Sequence, residues 1–470
     1  MTKPPHLALI GAGITGTTLS IALTRCGISH TLYEQSPHAT ELGAGLGFGP
    51  NAARAMKIID RELSEVFERV CTPRDLRGAG VTTTSSTTTT TKDCEEGNGT
   101  GDGEKGGKGE GGGEDGKKGK LWIEFLDGTS DVDVRELEPA FRVFARYPVG
   151  HGAVHRARWL EVLMRMVPEG VVKFGKRLEG IDQSGEKVVL RFEDGTKAEA
   201  DAVVGCDGVK SKVREVLVGG GGMQGAKCGY SGKYAYRCMI PMQRAVEEIG
   251  RARASVSSLW MGHGRHILTF PVGRPGPDQL LNLVAFVTDS NESWPSQDAR
   301  GFTLPATRED ALHDFEQGGF SKTWGLFDLA NDPLPSFYSG RILVIGDAAH
   351  ASTPHHGSGA GFCMEDVAVL SCLLEEQTQD VNGDPTNGLE AVFAAFDASR
   401  RERDQWLVQS SRRAADLYEW RLPNTGKEYF EDMRKDIEER QAVCWGVDLD
   451  KVVLEAKADL RRRRGAEMKG

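Results

Sequence analysis

At 470 residues the chain is long enough for two or three domains and a large core. Hydrophobic residues make up 39% and charged ones 27%, an ordinary globular balance, and a formal charge of −10 argues against a nucleic-acid partner. No run of about eighteen apolar residues and no secretory pattern at the N-terminus is present, so neither a membrane segment nor export is expected and the protein reads as cytoplasmic.

The chain opens with His6-Leu-Ala-Leu-Ile10, a short apolar run, then Gly11-Ala-Gly13-Ile-Thr-Gly16 and a helical pattern over 17–25. His30-Thr-Leu-Tyr-Glu34 follows and ends in an acid. This is strand, glycine turn, helix, strand, the pattern of a dinucleotide site. Gly11 makes the tight turn, Gly13 lets a pyrophosphate approach, Gly16 lets helix and strand pack closely, and Glu34 can accept hydrogen bonds from ribose hydroxyls.

Residues 41–51 are glycine-rich and lead into a helix over 51–59. A second phosphate loop is one reading, but no strand feeds it, so a flexible loop beside the first cofactor is preferred. From 82 to 120 the chain is Thr, Ser, Gly, Lys, Glu and Asp with almost nothing apolar, and is expected to be a disordered insert. Strand character resumes at Leu121. Short strands follow over 171–174, 180–181, 188–192, 197–200 and 202–205, with a helix over 158–166. Residues 228–290 alternate as in an antiparallel sheet, 307–330 look helical, 341–345 is another buried strand, and 361–375 and 388–420 are helical. Arg461–Arg464 reads as a solvated helix end. The nine cysteines are scattered, odd in number and without CxxC pairs, so they read as reduced thiols. His355-His356 has no third ligand at helical or strand spacing, and no metal site is expected.

Three stretches in order are more specific than the first alone: Gly11–Gly16 with Glu34; Gly205-Cys-Asp207-Gly208; and Gly346-Asp347 with Gly357-Ser-Gly359-Ala360-Gly361. Together they resemble the FAD-dependent aromatic hydroxylases of the para-hydroxybenzoate and salicylate hydroxylase type. Val154-His-Arg156 and Pro354–Gly361 look closest to the salicylate hydroxylase-like branch, which includes fungal enzymes acting on polyketide phenols. The resemblance covers about 5–80 and 120–420. It implies an α/β fold: a Rossmann-like FAD-binding domain in three pieces (1–80, 149–216, 336–400) around an inserted, mostly antiparallel substrate sheet (121–148, 217–335), with C-terminal helices over 401–470. It implies bound FAD, NAD(P)H as a transient co-substrate, and hydroxylation of a small phenol by O₂ through a C4a-hydroperoxyflavin, in a monomer or homodimer.

By the same resemblance Gly11, Gly13, Gly16, Glu34, Arg156, Asp207, Gly208, Asp347, Gly359, Ala360 and, less securely, Gly47 contact FAD. Other readings stay open: an N-cap for Asp347, a plain Asp-Gly turn for Asp207, a salt bridge for Arg156. On the inserted sheet Arg237 matches the branch's arginine and can hold a phenolate or carboxylate; a structural salt bridge is the alternative. Phe270 stands where some members place a tyrosine, and Tyr147 is the candidate to supply that hydroxyl, against simple packing. Tyr234 and Tyr236 read as sheet packing. A flavin reductase or amine oxidase would not need the Asp-Gly motif, and a non-catalytic flavin-binding protein is the non-enzyme alternative.

Overall fold

The computed structural model describes residues 5–38, 45–73, 120–145, 152–220, 227–289, 293–294, 302–315, 322–379 and 388–467. Tyr147 and the insert 82–120, save Lys120, lie outside the described residues. One sheet has six strands in the order Tyr338–Ser339, Ile342–Val344, Ala202–Gly205, His6–Ile10, Ser29–Tyr33, Val172–Lys173. All neighbours in it are parallel except the first pair, with Leu9 opposite Leu32 and Val204 opposite Leu343. The apolar runs 7–10 and 202–204 suit this place, since a parallel sheet is covered on both faces. Three distant pieces of chain thus build one sheet, as the α/β reading requires.

The inserted sheet has eight strands: Thr303–Pro305, Lys322–Asp328, Gly229–Pro241, Leu280–Thr288, Arg265–Val272, Ser258–Gly262, Lys120–Asp127, Phe141–Ala145. Every pair is antiparallel except Ser258–Gly262 with Lys120–Asp127. The 30-residue helix Leu389–Tyr418 ties the two layers together. Its start packs Val392, Phe393 and Phe396 into the FAD-side core, and its end packs Ala414, Leu417 and Tyr418 on Ile123, Phe125 and Met261 of the inserted sheet.

Two expectations are corrected. The stretch 307–330 is not one helix: Arg308–Phe315 is helical, but Lys322–Asp328 is a strand. Its alternation around Gly325 fits a strand held between Thr303–Pro305 and Gly229–Pro241, and that pairing decides the matter. In the glycine-rich stretch, Gly45–Phe48 is a strand paired with Gly152–His155, so that part is not a flexible loop. The eight cysteines among the described residues are free. Among these residues no helix is long and apolar enough to cross a membrane.

Candidate active site

Gly11 has φ +99, and a Cβ there would stand 2.7 Å from the Cys206 carbonyl oxygen. A Cβ on Gly16 would stand 2.0 Å from the Gly11 oxygen. Both glycines are therefore demanded by close packing. Gly13 differs: no atom lies within 4 Å of where its Cβ would be, so its backbone faces open space. It also caps helix Ile14–Arg25 without a side chain, which leaves amide donors for an anion. The Glu34 carboxylate accepts from the Ala12 amide at 2.8 Å and from the Ser36 amide at 2.8 Å. The acid is thereby fixed beside the turn, and each oxygen keeps a lone pair for a hydroxyl.

Asp207 accepts from Ser211 Oγ at 2.6 Å and from the amides of Lys212 and Val213 at 2.7 and 3.1 Å, at the start of helix Lys212–Gly220. Its carboxylate is engaged at that helix start, and burial raises its pKa. What it offers the glycine turn is backbone, against which Gly11 packs. Gly208 has φ +75, which a side chain would strain. Arg214, in the same helix, donates to the Ala348 carbonyl at 2.8 Å and so joins the second and third motifs.

Gly346, φ +62, fits against Thr15, whose Oγ1 would stand 2.9 Å from an added Cβ. All three motifs therefore converge on the first turn. The N-cap alternative for Asp347 does not hold: Gly346 is the cap, and no side chain fills that role. The half-buried Asp347 carboxylate accepts no hydrogen bond from the described residues. Behind it lies a fully buried ion network. Arg400 donates to Asp366 (2.9 Å), Glu365 (2.7 Å) and Asp404 (2.5 Å), and Asp366 also holds the Gly346 amide (2.9 Å) and His350 (2.7 Å).

Gly357, φ +60, leads into helix Gly359–Thr378, which begins at Gly359 and Ala360 with no side-chain cap. Asn51 stands 3.0 Å from where a Gly361 Cβ would be, and bonds Glu365 at 2.7 Å. Gly47 lies in strand Gly45–Phe48 opposite Ala153, and the exposed Arg156 opens the helix that follows His155. That glycine strand touches the inserted sheet: a Gly45 Cβ would stand 2.7 Å from the Phe270 ring, and the Gly45 amide donates to Asn282 at 3.3 Å.

Arg237 lies in the central strand of that sheet, opposite Val284. The residue is half-buried, but its Nε is sealed from solvent and has no hydrogen-bond partner. No carboxylate pairs with it among the described residues; its contact is the Trp324 ring at 5.8 Å. The salt-bridge alternative therefore fails. Burial, with repulsion from Arg156 second, pulls the guanidinium down to about 10, and it stays charged at neutral pH. Phe270, Met239 and Leu268 pack together near Ala153. Tyr234 and Tyr236 both donate to Asp314 at 2.6 Å, in a cluster with Cys238, Leu283 and Ala311.

Sequence spacing missed one group. His355 meets two more potential ligands in space: it, His266 and Glu419 bring ligand atoms within 4.8 Å of one another. The trio is nevertheless an unwelcoming metal site, because the Lys233 ammonium already pairs with Glu419 at 2.5 Å and would repel a second cation.

Comparison with known proteins agrees with this geometry. The family model described as FAD binding domain matches residues 6–384. The FAD-dependent monooxygenase pigN of Monascus ruber is 35% identical over 476 residues, 97% of each chain. The salicylate hydroxylase asL1 of Sarocladium schorii is 33% identical over 498 residues, covering 100% of this chain and 93% of that one. A solved salicylate hydroxylase substrate complex superposes with a TM-score of 0.74 at 25% identity, over 96% of this chain and 98% of that chain. With open glycine backbone and a tethered acid at its first turn, and matching these proteins over nearly its whole length, the chain belongs to the family of FAD-dependent monooxygenases.

Proposed function

We propose that the protein hydroxylates a small phenol carrying an anionic group, salicylate-like or polyketide-derived, using NAD(P)H and O₂. The observation that carries this reading is Arg237, a half-buried guanidinium whose sealed Nε has no hydrogen-bond partner and which meets no carboxylate among the described residues. An uncompensated buried charge is costly unless a ligand supplies the partner. Salicylate hydroxylases among the relatives point to the same substrate class.

Gly11, Gly13 and Gly16 would hold the pyrophosphate of FAD, Glu34 its adenosine ribose, and Asp347 its ribityl hydroxyls. The amides opening at Gly359 and Ala360 would face the ring and stabilise negative charge there. When bound, FAD supplies two-electron transfer from the nicotinamide to O₂ and delivery of one oxygen atom to the phenol. Arg237 orients the phenol by a charge-assisted hydrogen bond. Phe270 and Leu268 present an apolar wall that excludes water.

Oxygen uptake and NADPH oxidation should rise on adding salicylate or a small phenol, with a hydroxylated product. Equal NADPH consumption with and without every aromatic, and no product, ends the reading. Asp347→Ala should raise the FAD dissociation constant about ten- to a hundredfold, the worth of hydrogen bonds to a charged group. A fluorescence titration with FAD measures it; unchanged affinity removes Asp347 from the cradle.

A further inference from the structure

The guanidinium of Arg237 meets no carboxylate among the described residues, so something else must steady its charge. Trp324 stands in the neighbouring strand Lys322–Asp328, opposite Ala235. Ala235 and Arg237 are two apart in their own strand, so they share a face of the sheet, and Trp324 lies diagonally across from Arg237 on that face. Arg237 Cζ sits over the Trp324 ring, 5.8 Å from its centroid, within cation–π reach. Trp324 is half-buried, and among the described residues no other charged, hydrogen-bonding or aromatic group meets it. On the other side of Arg237 the same face runs through Val284 and Leu268 to Phe270, whose ring meets the glycine strand at Gly45. Arg237 therefore stands between Trp324 and the cofactor side of the sheet.

A guanidinium is flat and donates within its own plane. Here Nε is sealed without a partner, while Nη1 and Nη2 are not sealed and donate to no described residue. A ring against the flat face leaves both Nη groups able to grip and restricts the rotation that would tilt them. We propose that Trp324 is a positioning residue: it fixes the plane in which Arg237 receives the anionic group of the substrate, and so makes the pocket select anionic over neutral phenols. This rests on the phenol reading above. A carboxylate taken end-on by both Nη groups gains two charge-assisted bonds, and gains them most cheaply when the donors already lie in that plane. A carboxamide offers one acceptor oxygen and an NH₂, so one Nη faces a donor. A side chain that were only a wall would touch both ligands alike and would not read charge. Without the ring, the guanidinium must be ordered at the moment of binding, which costs about two- to tenfold in affinity.

The test uses the full-length FAD-loaded protein at pH 7 with salicylate and salicylamide, which share a ring and a hydroxyl but differ in charge. Each dissociation constant is read from the change in flavin absorbance. The wild-type protein should prefer salicylate. Trp324→Leu should cut that preference about two- to tenfold, nearly all of it on salicylate, and Trp324→Phe, which keeps a ring face, should recover part of the loss. In an Arg237→Met background Trp324→Leu should leave the preference unchanged, because Trp324 acts through the arginine. If Trp324→Leu does not load FAD, tetrafluorotryptophan at position 324 keeps the shape, strips the ring face of negative charge and should give the same loss. A preference unchanged by these replacements, or an equal loss for both ligands, overturns the role of Trp324. A wild-type protein that binds neither ligand, or binds both alike, overturns the anionic-phenol reading itself, and this inference with it.

Discussion

Arg237→Met is expected to lower aromatic-coupled product formation by about a hundredfold or more, while FAD content per chain stays at the wild-type level. Removing one partner of a buried, hydrogen-bonded charge pair costs about 2–5 kcal/mol, which spans tens to thousands in rate or affinity. The same change should raise the melting temperature of the substrate-free protein. In that state the half-buried guanidinium meets no carboxylate among the described residues and has its sealed Nε unpartnered, so replacing it by an apolar side chain of similar length removes a penalty. The pair of results distinguishes a substrate residue from a structural one, since a structural arginine would lose stability and activity together. Product assays and thermal melts on one preparation measure both. Unchanged turnover, or a melting point that falls, would remove Arg237 from the site.

What the sequence revealed follows from where its signals are local. Strands Val188–Phe192, Lys197–Ala200 and Ala202–Gly205 have the bounds read from the chain, because each is an apolar or alternating run between turn residues. Gly16 was legible because its close approach, to the Gly11 carbonyl, is made within one βαβ unit; Gly11 was legible from the same turn, although the atoms it packs against belong to distant Cys206 and Asp207. Gly45–Phe48 was not, because nothing in a run of glycines signals the partner strand Gly152–His155 more than a hundred positions on. The half of 307–330 that became a strand failed for a similar reason. Its side chains suit either state, and the pairing with Gly229–Pro241 decides. Within the site, Asp347 stood out as a charge closing an apolar run, and Arg237 through its match to the arginine of the family that the chain resembles. Glu419 carried no such sign: it joins His266 across 153 positions, at the end of a helix that looks like any amphipathic one.

The other large effect is expected at Arg400. Arg400→Met should destabilise the protein by about 3–5 kcal/mol, because it leaves Glu365, Asp366 and Asp404 buried with far less positive charge. Arg403 still reaches Glu365, so the loss falls hardest on Asp366 and Asp404. Urea melts measure it, and a loss below about 1 kcal/mol would show that the network is not a unit. The network also sets a pH dependence. Burial alone would lower the His350 pKa, but Asp404 and Asp366 override it and hold His350 up at about 9. Burial likewise holds Asp404 above its ordinary range. Both shifts have the folded state binding protons that the unfolded chain releases. The His350 contribution is therefore fully present below the unfolded histidine pKa of about 6.5 and is lost as pH rises through about 9, at roughly 1.4 kcal/mol per unit for one proton, whereas that of Asp404 begins to be lost above the ordinary aspartate pKa of about 3.9. Melting temperature should fall over that window, and fall less in His350→Gln. Because Asp366 also grips the Gly346 amide, FAD affinity should weaken over the same window, as Asp366, still ionised, loses the His350 charge that holds it beneath the turn presenting Asp347. A flat FAD affinity from pH 6.5 to 9 would separate the network from the cradle and leave it a stabilising element alone.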